Sequence, residues 1–310
     1  MCSLFGILDY GKKLSLRQRT LLLSTLAKAS EVRGTDATGI AYNEENQLKI
    51  FKRPKVAHSM NFHLPEDANC IMGHTRMTTQ GNALFNYNNH PFEGSTENTK
   101  FALAHNGIID NDFDLELKYK LPKNKIQTDS YVIVKLIEKE RELSAKSLAK
   151  TAEKLEGAFT FTALTEQNEM YFVKGNNPLY LLYWRTLGLY VYTSTEEIMK
   201  KALSSIHFLS DNFDILKLRS GEILKINSNG KCECSEFSDA HLYRCRFLSA
   251  YGYYPWESTK KKPKREQTYI DDLKAVSSTY GYSPDDIDHM INSGYSPEEI
   301  EEIFLYGGYF

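Results

Sequence analysis

The chain has 310 residues, 41% of them hydrophobic and 25% charged, enough for one large globular domain plus a small one. A formal net charge of −2 gives no ground for a nucleic-acid surface, and no stretch approaches the roughly 20 apolar residues of a membrane span. The start, Met1-Cys2-Ser3-Leu4-Phe5-Gly6-Ile7, lacks a secretion signal's basic and apolar run, and 5 widely spaced cysteines speak against a disulfide framework, so a cytoplasmic location is expected.

Cys2 to Leu8 is short, apolar and glycine-punctuated, which predicts a buried strand. Leu22, Leu23, Leu26 and Ala29 recur at helical spacing within Leu16 to Val32. Gly39 to Tyr42 and Leu48 to Phe51 read as paired strands across the polar turn Asn43 to Asn46. Cys70 to His74 and Phe101 to His105 are two more apolar strands, and each runs into an unusual polar segment. Helices are expected over Thr128 to Lys139 and Ser144 to Leu155. Strands follow over Ala158 to Leu164, Glu169 to Val173, Leu179 to Tyr183 and Leu189 to Thr193.

Ser194-Thr195-Glu196-Glu197 has the form of a capping box, with Ser194 as cap, and a short helix to Leu203 should follow. Ile215 to Ile226 reads as a hairpin around Arg219-Ser220-Gly221. Cys232 and Cys234 form a C-x-C pair without a second pair or a histidine at zinc spacing, so they read as strand or turn residues and no metal is expected. Strands, then helices, then strands again fit a layered α+β domain.

The composition changes near Ser258. Ser258 to Arg265 is basic, polar and proline-containing, and lacks the interleaved aromatics of a nucleic-acid contact. The expected organisation is a domain over 1–257, a basic linker over 258–267 and a small helical tail over 268–310. In the tail, a helix candidate from Thr268 to Tyr280 precedes a tandem repeat. Gly281-Tyr282-Ser283-Pro284 recurs as Gly294-Tyr295-Ser296-Pro297. Each Ser suits an N-cap and each Pro a first helical position, giving two short helices that either cover the main domain or dock a partner.

Five short segments carry candidate chemistry. Cys2 follows Met1, and removal of Met1 would leave a free α-amine on a thiol-bearing residue, with an amine pKa of about 7.7–8.0 suited to a general base. Arg33-Gly34-Thr35-Asp36-Ala37-Thr38-Gly39 lies at a helix-to-strand junction and could be turn chemistry alone. His74-Thr75-Arg76-Met77-Thr78-Thr79 places a guanidinium, able to fork two hydrogen bonds to a carboxylate, at a strand end. His105-Asn106-Gly107 sets a side-chain amide beside an unhindered N–H, the pair an oxyanion needs, though Asn-Gly is commonly a turn. Thr128-Asp129-Ser130 looks by itself like an N-cap.

In this order, with Asn88-Asn89-His90-Pro91 between them, these motifs resemble the glutaminase domain of class II glutamine amidotransferases, which are N-terminal nucleophile hydrolases. The resemblance covers about residues 2 to 230, with weaker echoes at Gly157-Ala158-Phe159, Pro178-Leu179, Thr193-Ser194 and Gly221-Glu222. It implies a four-layer αββα sandwich with a small C-terminal helical extension, and a half-reaction that needs no cofactor. It implies Cys2 as nucleophile and base, with Asn106 and Gly107 as oxyanion hole. On the binding side it implies Arg76 with Thr79 for the α-carboxylate, Asp129 with the Gly107 carbonyl for the α-ammonium, and Arg33 organising the loop.

Ser3, Met77 and Gln80 depart from the family pattern beside the substrate without removing a residue of direct chemical role. About 70 residues follow residue 240, too few for an isomerase or transferase domain. The expected partners are therefore L-glutamine and a separate ammonia-accepting synthetase or transferase, with no membrane. A free-standing hydrolase of γ-glutamyl or other amides and a non-catalytic binding module of the same fold stay open.

Overall fold

The computed structural model describes residues 2–240, 242, 264–293, 300 and 303–304. It divides into two compact units, Met1–Gly252 and Tyr253–Phe310.

In the first unit the order is β1 (Ser3–Asp9), α1 (Leu16–Ser30), β2 (Ala37–Glu44), β3 (Gln47–Arg53), β4 (Cys70–Arg76), β5 (Phe92–Ser95) and β6 (Lys100–Ile109). Three helices follow, α2 (Asp112–Tyr119), α3 (Tyr131–Glu140) and α4 (Ala145–Ala152), then β7 (Gly157–Thr165), β8 (Met170–Lys174), β9 (Tyr180–Trp184) and β10 (Leu189–Thr193). Helix α5 (Glu196–Leu203) precedes β11 (Asp214–Leu216), β12 (Glu222–Ile226) and β13 (Cys232–Glu236). The strands form two antiparallel sheets, a 7-stranded one in the order β11-β9-β10-β1-β4-β2-β3 and a 6-stranded one in the order β13-β12-β8-β7-β6-β5.

Strand alternation explains why the two sheets stack. In β1, Phe5 and Ile7 pack with Leu22, Leu23 and Leu26 of α1 and Ile198, Met199 and Ala202 of α5. Leu4 and Leu8 point the other way, into a layer shared with Ala102, Ala104, Leu164 and Phe172 of the second sheet. In β6 and β7, Phe101, Leu103, Phe159 and Phe161 meet α3 and α4 instead. Two sheets, each apolar on both faces, can only be satisfied by helix, sheet, sheet, helix, the αββα sandwich expected.

Local signals set the element ends. Ser15 caps α1 in a capping box with Gln18. The β2–β3 hairpin turns at Glu45 and Asn46, whose φ of 50° and 60° give the mirror-image turn that matches strand twist.

Several expectations are corrected. Ile215 to Ile226 is no hairpin: β11 pairs with β9 in one sheet and β12 with β8 and β13 in the other, so the segment crosses between sheets. The cap of α5 is Thr195, whose side chain accepts from the Ile198 N–H; the Ser194 side chain is turned inward, where it is completely buried. Helix α3 starts at Tyr131, because the side chains of Asp129 and Ser130, in the turn before it, bond to Ile109 and His105 instead of capping the helix. Strands β5 and β13 and helix α2 carried too little periodicity to be read.

In the second unit, helix α6 (Lys264–Ser277) includes 264–267, which had been assigned to the linker, and runs into a 3-10 turn over Ser278–Tyr280. Charged side chains are compatible with a helix once Leu273 is buried with Ile287, Ile300 and Phe304. Helix α7 (Pro284–Asn292) has the expected Ser283 cap and first-turn Pro284. Linker residues 258–263 and the second Gly-Tyr-Ser-Pro copy at 294–297 lie outside the described residues. Among the described residues no helix is long and apolar enough to cross a membrane.

Three buried histidines make the first unit acid-sensitive. The His74 ring lies 4.2 Å from that of His90, which lies 4.3 Å from Phe92. Burial pushes His74 and His105 down to about 3 and His90 well below its ordinary range. Depressed folded values mean that this stability is complete above the unfolded pKa of about 6.5 and is lost as pH falls toward 3. Each histidine should remove about 2 kcal/mol between pH 7 and pH 5. Both His90 ring nitrogens lack partners. His90→Phe should therefore fold and lose about 2 kcal/mol less than wild type over that interval in urea unfolding; equal losses would refute the assignment.

Candidate active site

Cys2 stands one residue before β1. It continues the row of Leu4 and Leu8, so alternation directs it toward the layer between the sheets. Ser3 pairs with Thr75 and Leu4 with His74, which sets Cys2 beside the end of β4, where Arg76 is the last residue. The thiol is half-buried and donates to the Met77 carbonyl at 3.4 Å. Burial pushes this thiol up and Asp129 adds to the rise, while the Met77 hydrogen bond and the Arg76 charge oppose it.

The Arg33 to Gly39 motif holds both sides of this junction. Arg33 Nε donates to the Cys2 carbonyl at 3.0 Å. The Asp36 N–H donates to the Arg76 carbonyl at 2.9 Å, and Asp36 Oδ2 accepts from the Thr78 N–H at 2.7 Å. A Cβ on Gly34 would lie 2.5 Å from the Arg76 carbonyl carbon, so the backbones approach too closely for any side chain.

Arg76 is 3% exposed, and its hydrogen-bond partners are neutral oxygens: Asn89 Oδ1 at 2.7 Å, the Gln80 carbonyl at 2.5 Å and the Gly81 carbonyl at 3.3 Å. The charges of Asp36 and Asp129 also act on it. The loop that supplies these oxygens is closed by amides. Asn89 Nδ2 reaches the Ala83 carbonyl, and Asn88 exchanges hydrogen bonds with Gln127. Lys52 Nζ donates to the carbonyls of Asn89 and Pro91, and burial, reinforced by Arg76, lowers it to about 8. Thr79 is half-buried in the same loop.

Asn106 and Gly107 lie within β6. Asn106 follows Ala102 and Ala104 on the inner row and is completely buried. Its carbonyl accepts from Asn177 Nδ2 at 2.9 Å, and its Nδ2 lies 3.5 Å from Ser194 Oγ. Gly107 has a φ of 144°, and a Cβ there would lie 1.8 Å from the Ala158 carbonyl oxygen, so only glycine fits. Asp129 accepts from the Ile109 N–H at 2.7 Å and from Ser130 Oγ at 3.4 Å, while Ser130 Oγ meets His105 Nδ1 at 2.8 Å. The Thr128 to Ser130 segment thus fastens α3 to β6; Ser130 makes no side-chain cap.

The structure therefore ties Cys2 to Arg33 and Met77, and Asn106 to the Cys2 strand through Ser194. Asp129 lies close enough to act electrostatically on both Cys2 and Arg76. Sequence reasoning gave no role in the site to Lys52, Asn89, Asn177 or Ser194. Asn89 was visible in its motif, whereas an isolated strand lysine carries no signal. A separate polar cavity of about 200 Å³ opens at the far end of β1, among Asp9, Asn43, Cys70 and Asn168, and contains none of the motif residues.

Residues 74–201 match a family model described as a glutamine amidotransferase domain. The chain is 35% identical over 187 residues to the isomerizing glutamine–fructose-6-phosphate aminotransferase of Aquifex aeolicus, covering 58% of this chain and 30% of that one. It is 27% identical over 263 residues to 7-cyano-7-deazaguanine synthase 2 of Sulfurisphaera tokodaii, covering 81% and 54%. Its fold matches the glutamine phosphoribosylpyrophosphate amidotransferase of B. subtilis with a TM-score of 0.61 at 22% identity, covering 76% of this chain and 49% of that one. The chain spans about a third to a half of the length of these relatives. Ordered motifs, sandwich architecture and these likenesses agree: residues 74–201 are similar to a glutamine amidotransferase domain, and the chain has the N-terminal nucleophile hydrolase fold.

Proposed function

We propose that this chain hydrolyses the side-chain amide of glutamine, with Cys2 as nucleophile once Met1 has been removed, and releases glutamate and ammonia. The observation that carries the reading is the buried Arg76 guanidinium, whose hydrogen-bond partners among the described residues are neutral oxygens, beside the strand that leads from Cys2. A buried cation in such surroundings is best satisfied by an anion, and a planar carboxylate fits its fork. The substrate's α-carboxylate binds there, with Thr79 assisting. Its α-ammonium binds Asp129 and the Gly107 carbonyl, and opposite charges at the two ends aim the amide at the thiol.

The α-amine of Cys2 takes the thiol proton, which suits a thiol whose burial keeps it protonated at neutral pH. The thiolate attacks the amide carbon and the carbonyl oxygen becomes an oxyanion, held by the Asn106 side-chain amide and the Gly107 N–H. The carbon–nitrogen bond then breaks as the ammonium of Cys2 returns its proton to the leaving nitrogen. Ammonia departs and a γ-glutamyl thioester remains. Water, deprotonated by the same amine, attacks the thioester and restores the thiol. Arg33 holds the Cys2 carbonyl and so fixes the chain end during these steps. The name of one relative pairs glutamine with fructose-6-phosphate in an amino transfer and that of another denotes a synthase, and the ammonia released here is read as destined for an accepting synthetase or transferase.

Two outcomes are expected. Untagged protein with Met1 confirmed absent by mass spectrometry should release glutamate from glutamine, whereas Cys2→Ala and a form with a blocked amino terminus should each lose at least about 100-fold. Release that persists in Cys2→Ala, or that is absent from the untagged protein, would overturn the reading. Arg76→Lys keeps the charge but not the fork. Steady-state kinetics should show KM for glutamine raised roughly 10- to 100-fold with a smaller change in kcat, since charged hydrogen bonds contribute about 1.5–3 kcal/mol. An unchanged KM would place the α-carboxylate elsewhere.

A further inference from the structure

Ser194 directly follows β10, at the start of its connection to α5, and is completely buried. Its Oγ accepts the Leu4 N–H at 2.8 Å, two residues from Cys2. That bond occupies a lone pair and leaves the hydroxyl proton to donate. The other group in reach is the Asn106 side chain, whose Nδ2 lies 3.5 Å away, a long contact at the limit of hydrogen bonding. Asn106 Oδ1, meanwhile, is buried and has no donor among the described residues. An unused donor and an unmatched acceptor therefore sit on neighbouring side chains, and a half-turn of the carboxamide about χ2 pairs them.

We propose that Ser194 is the positioning residue of the oxyanion hole: its hydroxyl donates to Asn106 Oδ1 and thereby frees both Nδ2 hydrogens, one of them aimed at the oxyanion. The inference rests on the glutaminase reading above. Three observations support it together. Turned this way, the carboxamide satisfies its buried oxygen, which would otherwise be left desolvated without a donor. The Asn106 main chain is already fixed by the Asn177 bond, so only the side-chain torsion remains to be set. The same hydroxyl holds the Leu4 N–H in one sheet and Asn106 in the other, so it sets the spacing between the nucleophile's strand and the oxyanion donor. Ser194 touches neither substrate nor reacting atoms in this scheme; it acts through Asn106.

The test is a double-mutant cycle on glutamate release with Ser194→Ala, Asn106→Ala and the double variant, alongside thermal unfolding. Ser194→Ala should lower kcat roughly 10- to 100-fold with KM changed less than about threefold. That is less than the 10²–10³ that loss of an oxyanion donor itself costs. In the Asn106→Ala background the same substitution should change kcat less than about threefold, because the group it positions is gone. Ser194→Cys, similar in volume but a weaker donor, should fall between wild type and alanine, and it replaces the alanine variant if that one does not fold. Equal losses in both backgrounds, or a rise in KM as large as the fall in kcat, would overturn the positioning role, since they would mean that Ser194 serves only to hold β1. Wild-type protein that releases no glutamate would overturn the glutaminase reading and this inference with it.

Discussion

Each inner strand of the sandwich serves two packing layers at once. One row of side chains meets helices and the other meets the opposite sheet, and the strict two-residue period leaves no intermediate choice. The motif residues inherit their directions from this constraint. Cys2 extends the inner row of β1, Arg76 that of Cys70, Met72 and His74 in β4, and Asn106 that of Ala102 and Ala104 in β6. A one-residue slip in any of these strands would turn its reactive side chain toward the helices and its apolar partners toward the opposite sheet. The register that buries the core is therefore the register that assembles the site.

The polar end of that inner layer is costly to build, and the sequence carries the groups that offset the cost. A buried guanidinium is tolerated because Asn89 and two loop carbonyls accept its hydrogens. The loop can present those carbonyls because Asn88, Asn89 and Lys52 close it from below. The Arg33 to Asp36 segment does the same for the backbone, with one side chain on Cys2 and one carboxylate on the residues after Arg76. These groups touch no reacting atom in the proposed chemistry, yet they decide whether a cationic pocket can exist beside a thiol.

Charge and burial act together on the thiol itself. Burial raises it, the Arg76 charge and the Met77 carbonyl lower it, and Asp129 raises it. In the proposed chemistry a thiol left protonated by this balance needs a base close at hand, and the α-amine that removal of Met1 would expose on the same residue is as close as covalent geometry permits. His74, His90 and His105, held neutral by burial, add no positive charge here, and His74 and His90 also stack against each other.

Local chemistry in the sequence determined a good deal. The run of strands and helices, the capped start of α1, the β2–β3 turn and the Ser283-Pro284 helix start all follow from interactions within a few residues, and those interactions are written in adjacent letters. The ordered motifs likewise named Arg33, which holds the Cys2 carbonyl, and Arg76 and Asp129, whose charges act on its thiol. Only the tertiary structure decided the rest, because it depends on pairings between distant segments. Nothing local distinguishes a hairpin over 215–226 from a crossover between two sheets, since both need a turn at Gly221. Nothing local turns Ser194 away from capping α5; its neighbour Thr195 can cap equally well, and the Leu4 N–H 190 residues away claims the hydroxyl. For the same reason Asp129 read as a cap although its carboxylate is held by a strand amide 20 residues back. Side chains with two local uses are assigned by whichever buried partner the fold brings to them, and that partner lies beyond the reach of sequence spacing.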